Sequence, residues 1–272
     1  MRVHDNRLSQ AQARLEAAGY NVVIHPQCFA NCTFYPQSAG TPPQKAAALH
    51  DLLANPAIDA IFCARGGNGA IHMLPFIDWA LLKAHPKIIM GYSDITAFSG
   101  AALSHANMST VHGPMAREIV SMADDELEAT LSFLNTLKPQ PFSTSSTWLK
   151  QEPIQGPTIG GNMAVLADLL LTPYAPKLDG AVLMLEEIDE KVHRLDRLLG
   201  ALALAGTLQH LGGIILGHFT DIADSADSGM SFGKTVEEIV RHHTKAYNYG
   251  VLSHAPFGHA SPNLPWVQGC EF

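Results

Sequence analysis

Apolar residues recur along the first half of the chain with two alternating periods. Leu8, Ala11, Leu15 and Ala18 share one face of a 3.6-residue repeat that ends beside Gly19, which predicts a helix over 8–18. A β-branched run predicts a strand over 21–24. The same reading predicts helices over 43–54, 70–84, 95–106 and 125–137, and strands over 58–64, 87–90 and 109–112. Strands alternating with amphipathic helices imply a mainly parallel sheet covered by helices on both faces.

Pro139, Pro141 and the Ser/Thr run 143–147 interrupt this pattern, and a linker is expected over 139–155. Beyond it the chain is glycine-rich at 156–161, helical in pattern at 163–171, 194–205 and 236–247, and strand-like at 181–185 and 213–216. Two domains, 1–138 and 156–272, are the expected organisation.

Composition narrows the function classes. The chain has 272 residues, 47% hydrophobic and 15% charged, with net charge −8. That is an ordinary globular profile, and the absence of a Lys/Arg block argues against nucleic acid as a partner. The apolar runs are too short to span a bilayer, and residues 1–6 lack the apolar region of a secretion signal, so a cytoplasmic location and no membrane partner are expected. The four cysteines do not form a disulfide framework, and the pair Cys28 and Cys32 has no second ligand pair, so no metal is expected.

Two loops at carboxyl ends of predicted strands carry candidate chemistry. In Gly91-Tyr92-Ser93-Asp94 a strand stops at a glycine and presents a serine where the next helix begins, the placement of an exposed hydroxyl nucleophile and also of an ordinary helix cap. In Arg65-Gly66-Gly67-Asn68-Gly69 three glycines let backbone N–H groups converge on an anion. Ala70 and His72 fit neither the Walker pattern nor the dinucleotide fingerprint, which leaves an oxyanion as the better anion. A serine nucleophile needs a base and an acid to orient it. Among fourteen histidines, His259 lies in a small-residue loop, with His254 and His112 as competitors; Glu186 and Glu187 end the strand at 181–185.

Six motifs, in order, resemble one family: Arg65–Gly69, Gly91–Thr96, His112-Gly113-Pro114-Met115, Gly160-Gly161-Asn162-Met163, Leu185-Glu186-Glu187-Ile188 with Arg194–Arg197, and Gly258-His259. The family is that of the LD-carboxypeptidases, peptidase family S66, which includes murein tetrapeptide carboxypeptidases and microcin C self-immunity peptidases. The resemblance implies an α/β protein with a flavodoxin-like, parallel-sheet N-terminal domain, a mostly β C-terminal domain, and the active site at their interface. It implies Ser93 as nucleophile, His259 as general base and Glu186 as its orienter, with Asp94 N–H and Gly67 N–H as the oxyanion hole. Arg65 is a candidate for the substrate carboxylate and equally for bracing its own loop. The implied reaction releases terminal D-alanine from murein tetrapeptide during cell-wall recycling, by a homodimer without metal or cofactor. A peptidyl-nucleotide amidase and a non-catalytic peptide-binding paralogue are the alternatives. The family also implies an apolar strand ahead of the first helix, for which residues 1–6 carry no pattern.

Overall fold

The computed structural model describes residues 6–33, 36–138, 146–224 and 230–272. Nine helices are present among them: α1 (Arg7–Ala17), α2 (Pro42–Ala54), α3 (Ala70–Met73), α4 (Trp79–Ala84), α5 (Thr96–Ala106), α6 (Asp124–Thr136), α7 (Met163–Leu169), α8 (Val192–Leu204) and α9 (Val236–Thr244). The strands are β1 (Ala60–Phe62), β2 (Ile88–Met90), β3 (Val111–His112), β4 (Thr147–Lys150), β5 (Thr158–Asn162), β6 (Val182–Ile188), β7 (Gly213–Thr220), β8 (Val251–Ser253) and β9 (Trp266–Val267). No described helix is long and apolar enough to cross a membrane.

The architecture is α/β, with a parallel-sheet N-terminal region and a second sheet. In the first sheet β1, β2 and β3 run parallel, and β9 adds antiparallel to β3. The second sheet has the order β4-β8-β7-β6-β5, parallel except at β4. Helices α7, α8 and α9 cover one of its faces through Leu166, Leu195, Leu199, Ile239 and Val240. On β6, Leu183 and Leu185 face those helices, whereas Val182 and Met184 face Phe257 and Trp266. Both faces are therefore buried, which is why this strand reads as a continuous apolar run.

Three sequence expectations need correction. Residues 21–24 form no ladder: a side chain of α1 takes the Val22 carbonyl, which accepts from Gln12 Nε2 at 3.0 Å, and Val23 is exposed. The helix expected over 70–84 is split into α3, a 3-10 turn at Leu74–Phe76, and α4. Pro75 has no N–H to continue the first helix, and the Asp78 carboxylate accepts from Leu81 N at 2.9 Å to begin the next. The stretch read as a linker contains β4, an edge strand paired with β8, while 139–145 lie outside the described residues.

The two sheets meet where α5 and α7 touch. Leu169 of α7 packs with Phe98 and Ala101 of α5, and Asn162 N donates to Thr96 Oγ1 at 3.0 Å. This contact sets the carboxyl end of β2 close to that of β5, and so places the working ends of the two sheets together.

Candidate active site

Ser93 follows β2 directly and opens the 3-10 turn Ser93–Ile95 that runs into α5. Its φ is 61°, a left-handed conformation that a side chain enters only at a cost of about 1–3 kcal/mol and that clusters at functional sites. The turn is held against the glycine loop in two ways. Gly66 lies so close that a Cβ there would sit 3.2 Å from Ser93 Oγ. Asp94 is buried, and its carboxylate Oδ2 accepts from Gly69 N at 2.8 Å and Ala70 N at 3.0 Å. The sequence reading used only the backbone N–H of Asp94, yet its carboxylate is what ties the two loops together. Asp followed by a helix start is common, so the pairing partner could not be read from spacing.

Gly67, with φ 148°, sits between Gly66 and Gly69 in that loop. Arg65 begins it and lines a cavity of about 200 Å3 with Lys45, Cys63 and Asp94. No group of three His, Cys, Asp or Glu side chains converges as metal ligands among the described residues.

Two candidate residues, His259 and Glu186, meet across 73 positions of sequence. His259 Nδ1 lies 2.6 Å from Glu186 Oε2, and Glu186 is fully buried. Side chains alternate along a strand, so Glu186 shares the face of Val182 and Met184, the face covered by the Phe257–Trp266 segment. Glu187 points the other way: its carboxylate accepts from Asn162 Nδ2 at 2.5 Å, Ala164 N at 2.8 Å and Ile188 N at 3.0 Å, capping α7. Strand alternation thus sends Glu186 towards His259 and Glu187 towards α7. The approach of the histidine loop to β6 requires a glycine. A Cβ at Gly258, whose φ is 113°, would lie 2.8 Å from Glu186 Cβ.

Burial pushes the His259 pKa down, but the hydrogen bond to Glu186 and the negative charges of Glu186, Glu118 and Glu187 outweigh it, so the net shift is upward. The competing histidines sit in other settings. His254 is largely exposed, with Nε2 3.7 Å from Glu237 Oε1. His112 is buried and stacked on Trp266 at 4.9 Å, and burial first, then the charge of His259, drives its pKa down to about 3. It is a neutral packing group, and neither ring nitrogen has a hydrogen-bond partner among the described residues.

The Tyr92 ring lies 4.7 Å from the His259 ring, centroid to centroid. Because Tyr92 immediately precedes Ser93, this contact brings the imidazole to the segment that carries Ser93. Sequence reasoning missed Tyr92 and its hydrogen-bond partner Glu118, since a tyrosine and a glutamate 26 residues apart carry no pattern of their own.

Known proteins with this arrangement are informative. Residues 1–113 match the family model of the LD-carboxypeptidase N-terminal domain, and residues 155–272 match that of the LD-carboxypeptidase C-terminal domain. A Streptomyces coelicolor protein provisionally named a carboxypeptidase is 36% identical over 79% of this chain and 71% of its own length. The murein tetrapeptide carboxypeptidase of Pseudomonas aeruginosa is 29% identical over 86% of this chain and 78% of its own. The structure of MccF in complex with glutamyl sulfamoyl guanosine superposes with a TM-score of 0.84 at 22% identity, covering 98% of this chain and 87% of MccF, which bears on the fold alone. Matches across both halves, with the motifs in family order, make this chain a member of the LD-carboxypeptidase family.

Proposed function

We propose that this protein is a serine-type LD-carboxypeptidase that hydrolyses the L,D-peptide bond before the terminal D-alanine of murein tetrapeptide. The observation that carries the reading is the buried Glu186–His259 pair standing beside a strained serine turn. Glu186 holds Nδ1–H of the imidazole, which leaves Nε2 to take a proton. Ser93 Oγ attacks the carbonyl carbon of the L-centre while its proton passes to His259 Nε2. The negative charge on the former carbonyl oxygen is met by the N–H groups of Asp94 and Gly67; one such donor contributes about 3 kcal/mol to the transition state. The C–N bond then breaks, and the His259 proton goes to the departing D-alanine nitrogen. A water molecule, deprotonated by the same nitrogen, attacks the acyl-enzyme, and the proton returns to Ser93 Oγ as the second product leaves. Arg65 takes the free carboxylate of the substrate in this scheme.

The same acyl transfer would serve a peptidyl-nucleotide amidase, a reading supported by the sequence likeness to the microcin C7 self-immunity protein MccF of Escherichia coli. The family names among sequence relatives favour the murein peptide. A cytoplasmic homodimer is part of the proposal, to be checked by light scattering and fractionation. The decisive experiment is D-alanine release from murein tetrapeptide by the wild type and Ser93→Ala, run beside an aminoacyl sulfamoyl nucleoside. Loss of release in the variant, together with loss of fluorophosphonate labelling, supports the reading. Unchanged turnover in Ser93→Ala would sink it, and faster turnover of the nucleoside would move the assignment to the amidase.

A further inference from the structure

Beside the triad stands a second carboxylate that the mechanism above does not use. Glu118 follows β3 in a turn and is hydrogen-bonded through both oxygens: Tyr92 OH donates to Oε1 at 2.5 Å and Met115 N to Oε2 at 2.9 Å. Two donors from different directions fix the carboxylate, and the carboxylate fixes the phenol. The phenol ring in turn packs at 4.7 Å and 52° against the His259 ring. The backbone of Tyr92 is extended and joins directly to the left-handed Ser93. One side chain therefore touches the base while its main chain sets the nucleophile.

We propose that Glu118, acting through Tyr92, is a positioning residue of the active site: it locks the surface on which the His259 imidazole rests and supplies a second negative charge to the base. Glu186 orients the imidazole in its plane, through Nδ1; the Tyr92–Glu118 pair supports its face. This division of labour matches what a base needs in order to pass a proton from serine to a leaving group without turning away.

The electrostatic surroundings agree. The titratable groups that act on His259 are Glu186 and Glu187 from β6 and Glu118 from the turn after β3, all favouring the imidazolium, with His112 of β3 close by and neutral. Burial pushes the Glu118 pKa up, and the hydrogen bonds from Tyr92 and Met115 and the charges of His259 and Arg117 offset only part of it, so the net shift is upward. Burial, followed by the charge and hydrogen bond of Glu118, holds the Tyr92 hydroxyl protonated. Both Glu118 oxygens accept, from Tyr92 OH and Met115 N, so the phenol is the donor of the pair.

The inference rests on the triad reading for its kinetic consequence but not for its geometry, and the test separates the two. Isotope-labelled histidine lets NMR follow the His259 titration without substrate, alongside the pH dependence of kcat and KM for D-alanine release. Glu118→Gln removes the charge and keeps the shape. We expect the His259 titration and the acid limb of kcat/KM to move down by about half a pH unit or more, with kcat roughly tenfold lower and KM unchanged. Glu118→Asp keeps the charge, so its titration should stay near the wild type. A Gln variant whose titration and kcat both superpose on the wild type overturns the proposal, as does an Asp variant that shifts as far as Gln. If Glu118→Gln does not fold, Tyr92→Phe decides: an unchanged kcat with an unchanged His259 titration refutes the role. A wild type that releases no D-alanine refutes the carboxypeptidase reading instead, while the NMR titration still answers for Glu118.

Discussion

Replacing Glu186 by glutamine tests the base most directly. The carboxylate is fully buried and 2.6 Å from Nδ1 of His259. The amide has nearly the same shape, so the packing of β6 against the Phe257–Trp266 segment should survive. What changes is charge and tautomer. At an effective dielectric of 20, two unit charges about 4 Å apart attract by roughly 4 kcal/mol. In the proposed mechanism that attraction is present in the transition state, where His259 is an imidazolium, and absent in the ground state, where it is neutral. Its loss alone corresponds to a rate decrease of about 10³-fold at 1.36 kcal/mol per decade. A glutamine that donates to Nδ1 also selects the wrong tautomer, and the analogous change in a serine protease triad lowers kcat about 10⁴-fold. We therefore expect kcat for D-alanine release to fall about 10³- to 10⁴-fold, with KM little altered.

The pH profile of the same variant carries a sign. Under the proposed mechanism His259 must be neutral to act as base, so wild-type activity is expected to rise with pH through its raised pKa. Without Glu186 that limb moves to lower pH. The linkage runs the same way for stability: the imidazolium contribution is present in full below the unfolded value near 6.5 and is lost as pH rises through the higher folded pKa. The assay is stopped-time D-alanine detection from pH 5 to 9, with thermal melts at each pH. A kcat within tenfold of wild type and an unmoved acid limb would refute the assignment of Glu186.

Two further substitutions probe the scaffold around the triad. Gly258→Ala puts a Cβ 2.8 Å from Glu186 Cβ at a φ of 113°; a loss of about 2 kcal/mol or more in chemical denaturation, with kcat reduced at least 100-fold, is expected, and a wild-type-like enzyme would show that the loop is loose. Asp94→Ala strips the acceptor from Gly69 N and Ala70 N; it should destabilise by about 2–4 kcal/mol and slow D-alanine release by freeing the glycine loop, whereas full activity would mean that the loop holds its shape unaided.

The parts of the site legible in the sequence were those whose chemistry is local. A serine at a strand–helix turn, acids ending a buried strand and a histidine among small residues each announce themselves by their neighbours. The choice of Glu186 over Glu187 came from the resemblance, and strand alternation supplies its physical reason. Partnerships across the fold were not legible: the Asp94 carboxylate on the glycine loop and Glu118 on Tyr92 join residues 24 to 26 positions apart with no periodicity between them. In the fold, β5 escaped notice because two of its five residues are glycine, and β8 and β9 because they are only three and two residues long. The unbroken helix expected over 70–84 followed the apolar period and gave too little weight to Pro75.

The return of the chain from the second sheet to the first has its own consequence. After His259 the backbone enters β9 on the edge of β3, and Gln268 N then donates to Thr110 O and Gly269 N to Thr158 O. The loop bearing the base is thus moored at both ends to different sheets, by a strand of two residues. Trp266 of that strand and Phe257 earlier in the loop are buried against Val182 and Met184 of β6, so the mooring is stitched into the core it spans. Under denaturant the loop should come loose only together with that core, so turnover and circular dichroism are expected to fall over the same range.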